Sequence, residues 1–263
     1  MSRSQLLIDY FDYTVRSRGK FSVHSPFVYR FYTDIIQDNN HQEAYKDIED
    51  VFQALKSRKQ LIEVTDFGAN SGGKPYQTSY ENVGTLAKSS AVRPRVGRLL
   101  HRIARWSQAD SILELGTSFG ISTMYLASGA SKAKVHTLEG CSAMATKAIM
   151  NFDKLGLSNI QVHIGQFDIL LNKVISRMDK IDILFLDGNH RQGPTIQYFE
   201  SCAEKATNDS IFIIDDIRWS NGMKKAWEAI KKHPGVTVSI DLFSLGIVFF
   251  RKESARQDFL LKF

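Results

Sequence analysis

Cysteine is nearly absent: the 263 residues carry two, Cys141 and Cys202, too few for a disulfide scaffold. No stretch resembles a signal peptide or a membrane span, so the expected compartment is a reducing cytoplasm and no membrane partner is expected. There is also no recognised RNA-binding motif. The aromatic residues fall inside apolar periodic segments rather than between lysines, which argues against nucleic acid as a partner despite the formal net charge of +6. The excess positive charge lies upstream, in Arg16, Arg18, Lys20, Arg93, Arg95, Arg98, Arg102 and Arg105. The last four recur at helical spacing beside Val96, Leu99, Leu100 and Ile103, so they read as the solvated face of an amphipathic helix. With 43% hydrophobic and 24% charged residues the chain has an ordinary globular composition, long enough for one large or two small domains.

Composition changes near residue 110. Before it, Leu6 to Val15, Pro26 to Ile36, Ala44 to Leu55 and Val96 to Trp106 show helical periodicity, interrupted by a polar, glycine-rich stretch from Asp66 to Tyr80 that reads as one long loop. After it, β-rich runs near 111 to 115, 134 to 139, 159 to 164, 181 to 186 and 210 to 215 alternate with helical ones, the rhythm of a doubly wound parallel sheet. Val236 to Ile240 and Leu245 to Phe250 are separated by four residues, too few for a helical crossover, so they are expected to pair as an antiparallel hairpin.

The first of these strands runs into Gly116-Thr117-Ser118-Phe119-Gly120, and a helix opens at Ile121. Glycines there let a ligand approach the backbone, and the free N–H groups of the helix face an anion. The stretch also matches the nucleophile elbow G-x-S-x-G. In that reading Ser118 is the nucleophile and Asp215 or Asp216 with His233 completes the set, although no upstream oxyanion motif of the His-Gly-Gly-Gly kind accompanies it. A nucleotide reading instead demands an acid at the end of the next strand, about 20 residues on, to bind ribose hydroxyls. Glu139 meets it, and Gly140 beside it leaves room for a sugar. The third glycine of G-x-G-x-x-G is missing, which favours a smaller adenosyl ligand over a dinucleotide.

At these residues the chain resembles the class I S-adenosylmethionine-dependent methyltransferases over roughly residues 95 to 250. Glu114 to Gly120 looks like their first motif, Glu139 like their ribose acid, and the closing hairpin like theirs. The likeness is strongest to the catechol and caffeoyl-CoA type O-methyltransferases and to bacterial members with D-G-x-H. It implies an α/β fold: a doubly wound, seven-stranded, mostly parallel Rossmann-like sheet with a C-terminal antiparallel hairpin and an N-terminal helical extension. The expected division is an extension or lid over residues 1–95 and a cofactor-binding catalytic domain over 96–263. By the same likeness Gly116, Ser118 and Ser122 hold the methionine end of S-adenosylmethionine. Glu139 and Gly140 meet the ribose, and Gly165, Gln166, Phe167 and Asp168 the adenine. Glu114, Thr117, Gly120 and Asp187 complete the cofactor site.

The fourth strand delivers Asp187-Gly188-Asn189-His190 to the carboxyl edge of the sheet, and the fifth delivers Asp215 and Asp216. Carboxylates in that number suit a hard cation such as Mg²⁺, which would lower the pKa of a diol hydroxyl. The resemblance places a metal on Asp187, Asp215 and Asp216, the last commonly Asn in the family. His190 falls where those enzymes carry a catalytic lysine, and an imidazole titrates near neutrality, as a general base should. The reading is therefore O-methylation of a small molecule by in-line transfer, with His190 and Asp187 as catalytic residues. A hydrolase using Ser118, and a non-catalytic cofactor- or RNA-binding protein, are the alternatives.

Two N-terminal motifs remain. Gly68-Ala69-Asn70-Ser71-Gly72-Gly73-Lys74 matches a phosphate loop formally, but Pro75 stands where Ser or Thr would bind Mg²⁺, so a lid is the expectation. Phe21-Ser22-Val23-His24-Ser25-Pro26-Phe27 joins two helical segments, with Ser25-Pro26 suited to start the second. The apolar N-terminal helices and the tail Phe259 to Phe263 are candidate homodimer surfaces.

Overall fold

The computed structural model describes residues 3–67 and 76–263, so the phosphate-loop-like segment Gly68 to Pro75 lies outside the described residues. The chain divides into two compact units, Met1–Asn39 with Lys180–Phe263, and Asn40–Asp179.

The first unit opens with α1 (Arg3–Arg16) and α2 (Pro26–Phe31), which continues as a π turn over Tyr32–Ile36. Pro26 sits in the first turn of α2 and the Ser25 side chain accepts from Val28 N, as the Ser-Pro pair predicts. The chain then forms the second unit: α3 (Glu43–Ser57), β1 (Leu61–Asp66), β2 (Gln77–Asn82), α4 (Val83–Ser90), α5 (Pro94–Ser107), β3 (Ser111–Leu115), α6 (Ile121–Gly129), β4 (Lys134–Glu139), α7 (Ser142–Lys154), β5 (Ile160–Ile164) and α8 (Phe167–Ile175). Here β3, β4 and β5 lie parallel, Leu115 opposite Leu138 and Leu138 opposite His163.

The first unit resumes with β6 (Ile181–Leu186), α9 (Gln192–Ala203), β7 (Ala206–Ile214), α10 (Asn221–Lys232), β8 (Val238–Asp241), β9 (Gly246–Phe249) and β10 (Gln257–Leu260). β6 pairs parallel with β7, and every residue of β6 is buried, as expected of a strand covered on both faces. β7 pairs antiparallel with β9, and β9 antiparallel with β8, Asp241 opposite Gly246. The predicted hairpin therefore forms. Its turn is held by Arg218, whose guanidinium grips Asp241 at 2.7 and 2.8 Å and the Phe243 carbonyl at 2.7 Å.

Four features differ from the sequence reading. The stretch read as a loop from Asp66 to Tyr80 ends in a strand: β2 pairs antiparallel with β1 from Asn82 back to Gln77, so the upstream half is not purely helical. β2 is polar and mostly exposed, and ladder hydrogen bonds require no apolar alternation, so periodicity does not report it. α4 escaped the same reading, its start set by Asn82, whose side chain accepts from Thr85 N. β10 lies parallel on β8, an eighth strand beside the predicted seven. Finally, Arg102 does not belong to a solvated face, and Arg98, though part-exposed, is tied to another helix. Arg98 pairs with Glu49 at 2.7 Å, and Arg102 is buried.

Candidate cofactor cradle and catalytic turn

In the second unit, β3 ends at Leu115 and the chain turns through Gly116 (φ 110°), Ser118 (φ 49°) and Gly120 (φ 82°) before α6 begins. Three left-handed residues in five would be strained for most side chains, and two of them are glycine. Gly120 has a further constraint: a Cβ there would lie 2.3 Å from the Phe152 ring. Gly116 N and Thr117 N both donate to Leu138 O, at 3.0 and 3.2 Å, which ties the turn to β4. No side chain caps α6. The N–H groups of its first turn therefore have no capping side chain, although Ile121, Ser122 and Thr123 are themselves buried.

Beneath the turn lies a buried polar network. Thr117 Oγ1 and Thr137 Oγ1 are 2.5 Å apart, Thr137 donates to Glu114 Oε2 at 2.6 Å, and Thr123 donates to the same oxygen. Ser122 also bonds to Glu114. Burial pushes the Glu114 carboxyl above its ordinary value, and the hydroxyl donors offset that only in part. Its other oxygen, Oε1, is buried and has no hydrogen-bond partner among the described residues. Of the predicted cofactor contacts, the side chains of Glu114, Thr117 and Ser122 are therefore directed into the protein, where they support the loop.

Glu139 ends β4 as the sequence predicts. Its Oε2 accepts from Ser118 N and its Oε1 from Cys141 N, both at 2.8 Å. A carboxylate has about four acceptor positions and the Gly140 N–H donates here as well, so about one remains for a sugar hydroxyl. Desolvation raises the Glu139 pKa, and these backbone N–H donors pull it back. Gly140 does not leave open space on its side-chain face: a Cβ there would meet the Phe67 ring at 2.7 Å. Gly165 (φ 146°) donates to Glu139 O at 2.8 Å, and Gln166, Phe167 and Asp168 follow at the start of α8. The predicted ribose and adenine residues are thus brought to one end of β4 and β5. Ser118 Oγ lies 3.0 Å from Ser90 Oγ rather than beside an imidazole. His233 accepts from Gly235 N and packs edge-on against Phe199, both in the first unit.

In the first unit, β6 delivers Asp187 and the turn Gly188 to His190. Asn189 (φ 68°) and His190 (φ 42°) are both left-handed. Asn189 donates to Tyr198 Oη at 3.0 Å and accepts from Arg191 Nε at 2.6 Å, and His190 N donates to Gly188 O at 2.9 Å. His190 Nε2 stands 3.7 Å from Asp187 Oδ1, too long for a hydrogen bond but within ion-pair range once the ring is protonated. Trp219 lies beside the imidazole, ring centroids 6.2 Å apart. At the end of β7, Asp216 is again left-handed (φ 52°) and its N–H donates to Asp215 Oδ1 at 2.8 Å. Burial and the Asp216 charge hold the Asp215 carboxyl well above the usual carboxylate range. Among the described residues no three His, Cys, Asp or Glu are gathered as a metal-ligand set, so Asp187, Asp215 and Asp216 as placed do not fit a bound cation.

A glycine turn between strand and helix with an acid at the neighbouring strand end is an arrangement suited to a nucleotide. Residues 113–217 match a family described as a methyltransferase domain. A catechol O-methyltransferase of Niastella koreensis is 32% identical over 130 residues, 48% of this chain and 58% of the relative, so the chain spans less than two thirds of that enzyme's length. The SAH-bound Podospora anserina methyltransferase PaMTH1 aligns with a TM-score of 0.60 at 14% identity, over 89% of this chain and 100% of that one. An O-methyltransferase from Bacillus cereus in complex with SAH aligns with a TM-score of 0.56 at 20% identity, over 84% of this chain and 96% of that one. The fold is the mostly parallel, Rossmann-like one of these methyltransferases. What the sequence missed around the glycine turn is the supporting layer, Thr123, Thr137 and Ser90. Thr137 was open to detection, since it lies two residues before Glu139 on a strand and so shares its face.

Proposed function

We propose that this protein is an S-adenosylmethionine-dependent O-methyltransferase acting on a small hydroxylated molecule, with vicinal aromatic diols, the substrate class named for its Niastella relative, as the first acceptors to test. The observation that carries this is the Glu139 carboxylate, bonded to Ser118 N and Cys141 N so that one acid fixes both the glycine turn and the end of β4. The residues fit the cofactor: an uncapped helix start and a Glu139 carboxylate with an acceptor position left over. S-adenosylmethionine, when bound, supplies an electrophilic methyl group on a sulfonium.

His190 then serves as the base that takes the acceptor hydroxyl proton. The imidazolium it becomes carries its charge 3.7 Å from Asp187 Oδ1, which stabilises it. The pinned Asn189 and Arg191 side chains hold the turn, so the base is placed before the acceptor arrives. No step is routed through a divalent cation, because the three aspartates are not gathered as ligands. We also propose that residues 1–95 act as an extension that shapes the acceptor site, and that copies of the chain associate through α1.

Calorimetric titration with S-adenosylmethionine and S-adenosylhomocysteine, with NAD as control, tests this reading. Wild type should bind both adenosyl ligands, and Glu139→Ala should weaken binding by roughly tenfold or more, the loss of about 1.4 kcal/mol expected for charge-assisted hydrogen bonds. EDTA should leave that binding unchanged, since Asp187, Asp215 and Asp216 are not gathered as a metal-ligand set among the described residues. Absence of binding in the wild type would remove the methyltransferase reading.

A further inference from the structure

The joint Phe21 to Phe27 takes no part in the chemistry above, yet the first unit builds a cavity of about 490 Å³ against it, within the usual range for small-molecule sites. Arg16, Arg18, Ser22 and His24 line one side, and Phe259 and Leu260 of β10 line another. We propose that this cavity binds a small organic phosphate monoester, with its apolar body against β10 and its phosphate between Arg18 and His24.

The walls are held in place. Arg18 N donates to Leu260 O at 2.8 Å and Lys262 N to Arg18 O at 3.1 Å, so the joint is stitched to the C-terminal tail. The Tyr13 hydroxyl donates to Leu261 O at 2.6 Å and accepts from Phe263 N at 3.1 Å, which anchors the tail from α1. Between the helices Ser17 and Val23 point inward and are buried, and Lys20 to Ser22 forms a single 3-10 turn. That arrangement leaves Arg18, Ser22 and His24 on the cavity side, and among the described residues their side chains show no protein partner. Arg16 pairs with Asp12 at 3.1 Å on the exposed face of α1, a contact weak enough to yield to a dianion.

Charge and donor geometry select the ligand. Two guanidiniums, an imidazole and a hydroxyl face one acid, Asp258, whose Oδ1 is already engaged by the Ser239 hydroxyl at 2.5 Å. A tetrahedral dianion offers acceptors to donors arriving from several directions, and arginine meets phosphate with two parallel hydrogen bonds. Phe259 and Leu260 give nothing to a bare phosphate ion but cover an attached ring or chain.

The test is titration of the full chain with phenyl phosphate, phenol and inorganic phosphate. Phenyl phosphate should bind roughly tenfold or more tightly than either fragment. The double variant Arg18→Ala with His24→Ala should lose most of that affinity, whereas Lys59→Ala, outside the cavity, should keep it. Thermal melts of the variants report folding. On the wild type alone, raising ionic strength from about 0.1 M to about 1 M, which shortens the screening length from about 10 to about 3 Å, should weaken phenyl phosphate binding several-fold and leave phenol unchanged. Phenol binding as tightly as phenyl phosphate, salt-independent binding, or full affinity in the double variant would each overturn the assignment.

Discussion

His190 is held by its turn rather than by a direct hydrogen bond to Asp187, so its removal should strike turnover and spare cofactor affinity. His190→Ala is expected to lower kcat by about 10² or more while the Kd for S-adenosylmethionine changes little. A variant with full kcat would remove His190 as the base. Glu114 makes a different kind of prediction. Its carboxyl is buried and its folded pKa lies above the ordinary 4.5, so between those two values the folded state holds a proton that the unfolded chain has released. Stability of the cofactor-free protein should therefore fall as pH rises through that window, at most about 1.4 kcal/mol per pH unit, and level off above it. Glu114→Gln lacks the titration. Melting temperatures of the two proteins against pH should converge at acid pH and separate upward through the window; parallel curves would show that Glu114 is not the titrating group.

At the level of elements, the candidate site residues sit where strands stop. β3 ends just before the glycine turn, β4 at Glu139, β6 one residue before Asp187 and β7 one residue before Asp215. Left-handed residues concentrate at these exits, in Gly116, Ser118, Asn189, His190 and Asp216, where the chain must reverse sharply without extending the strand. Gly120, at the exit of β3, is left-handed too and carries a second constraint. Gly120→Ala combines a φ of 82° with a Cβ placed 2.3 Å from the Phe152 ring. The backbone alone should cost about 1–3 kcal/mol, read as a lower urea midpoint, and the displaced turn should weaken adenosyl-ligand binding in parallel. An unchanged midpoint would show that the turn tolerates a side chain and that its geometry is set elsewhere.

For the molecule as a whole, α1 is docked on its own unit by one face and bare on the other. Asp9 pairs with Lys224 and Tyr13 is buried, while Leu7 and Phe11, four residues apart, are 70% and 72% exposed. Apolar side chains at that spacing form a stripe of the kind that marks a contact surface. If copies associate through it, Leu7→Asp with Phe11→Asp should shift the sedimentation profile toward monomer at unchanged melting temperature. A wild type that sediments as a monomer at all concentrations would remove the association. The same packing explains a failure of sequence reading. Arg98 and Arg102 share the helical spacing of Arg95 and Arg105, yet one pairs with Glu49, 49 residues away, and the other is buried. Periodicity counts polar residues on a face but carries no information about which distant element covers it.

Local chemistry was legible wherever it depends on near neighbours. Five parallel-sheet strands, the closing hairpin, the Ser25 cap and the glycine turn all follow from apolar runs, chain reversal and backbone sterics within a few residues. The positions of Glu139 and His190 at strand ends follow from the same counting. Hidden from the sequence were the things that distant segments decide together: the polar β1–β2 pair, the strand β10 laid parallel to β8, the ring of Phe67 over Gly140, and the turning of Glu114, Thr117 and Ser122 into a buried network. A residue type states which hydrogen bonds a side chain is able to make. Which of them it makes depends on what the tertiary packing brings within about 3 Å, and on how much water that packing removes.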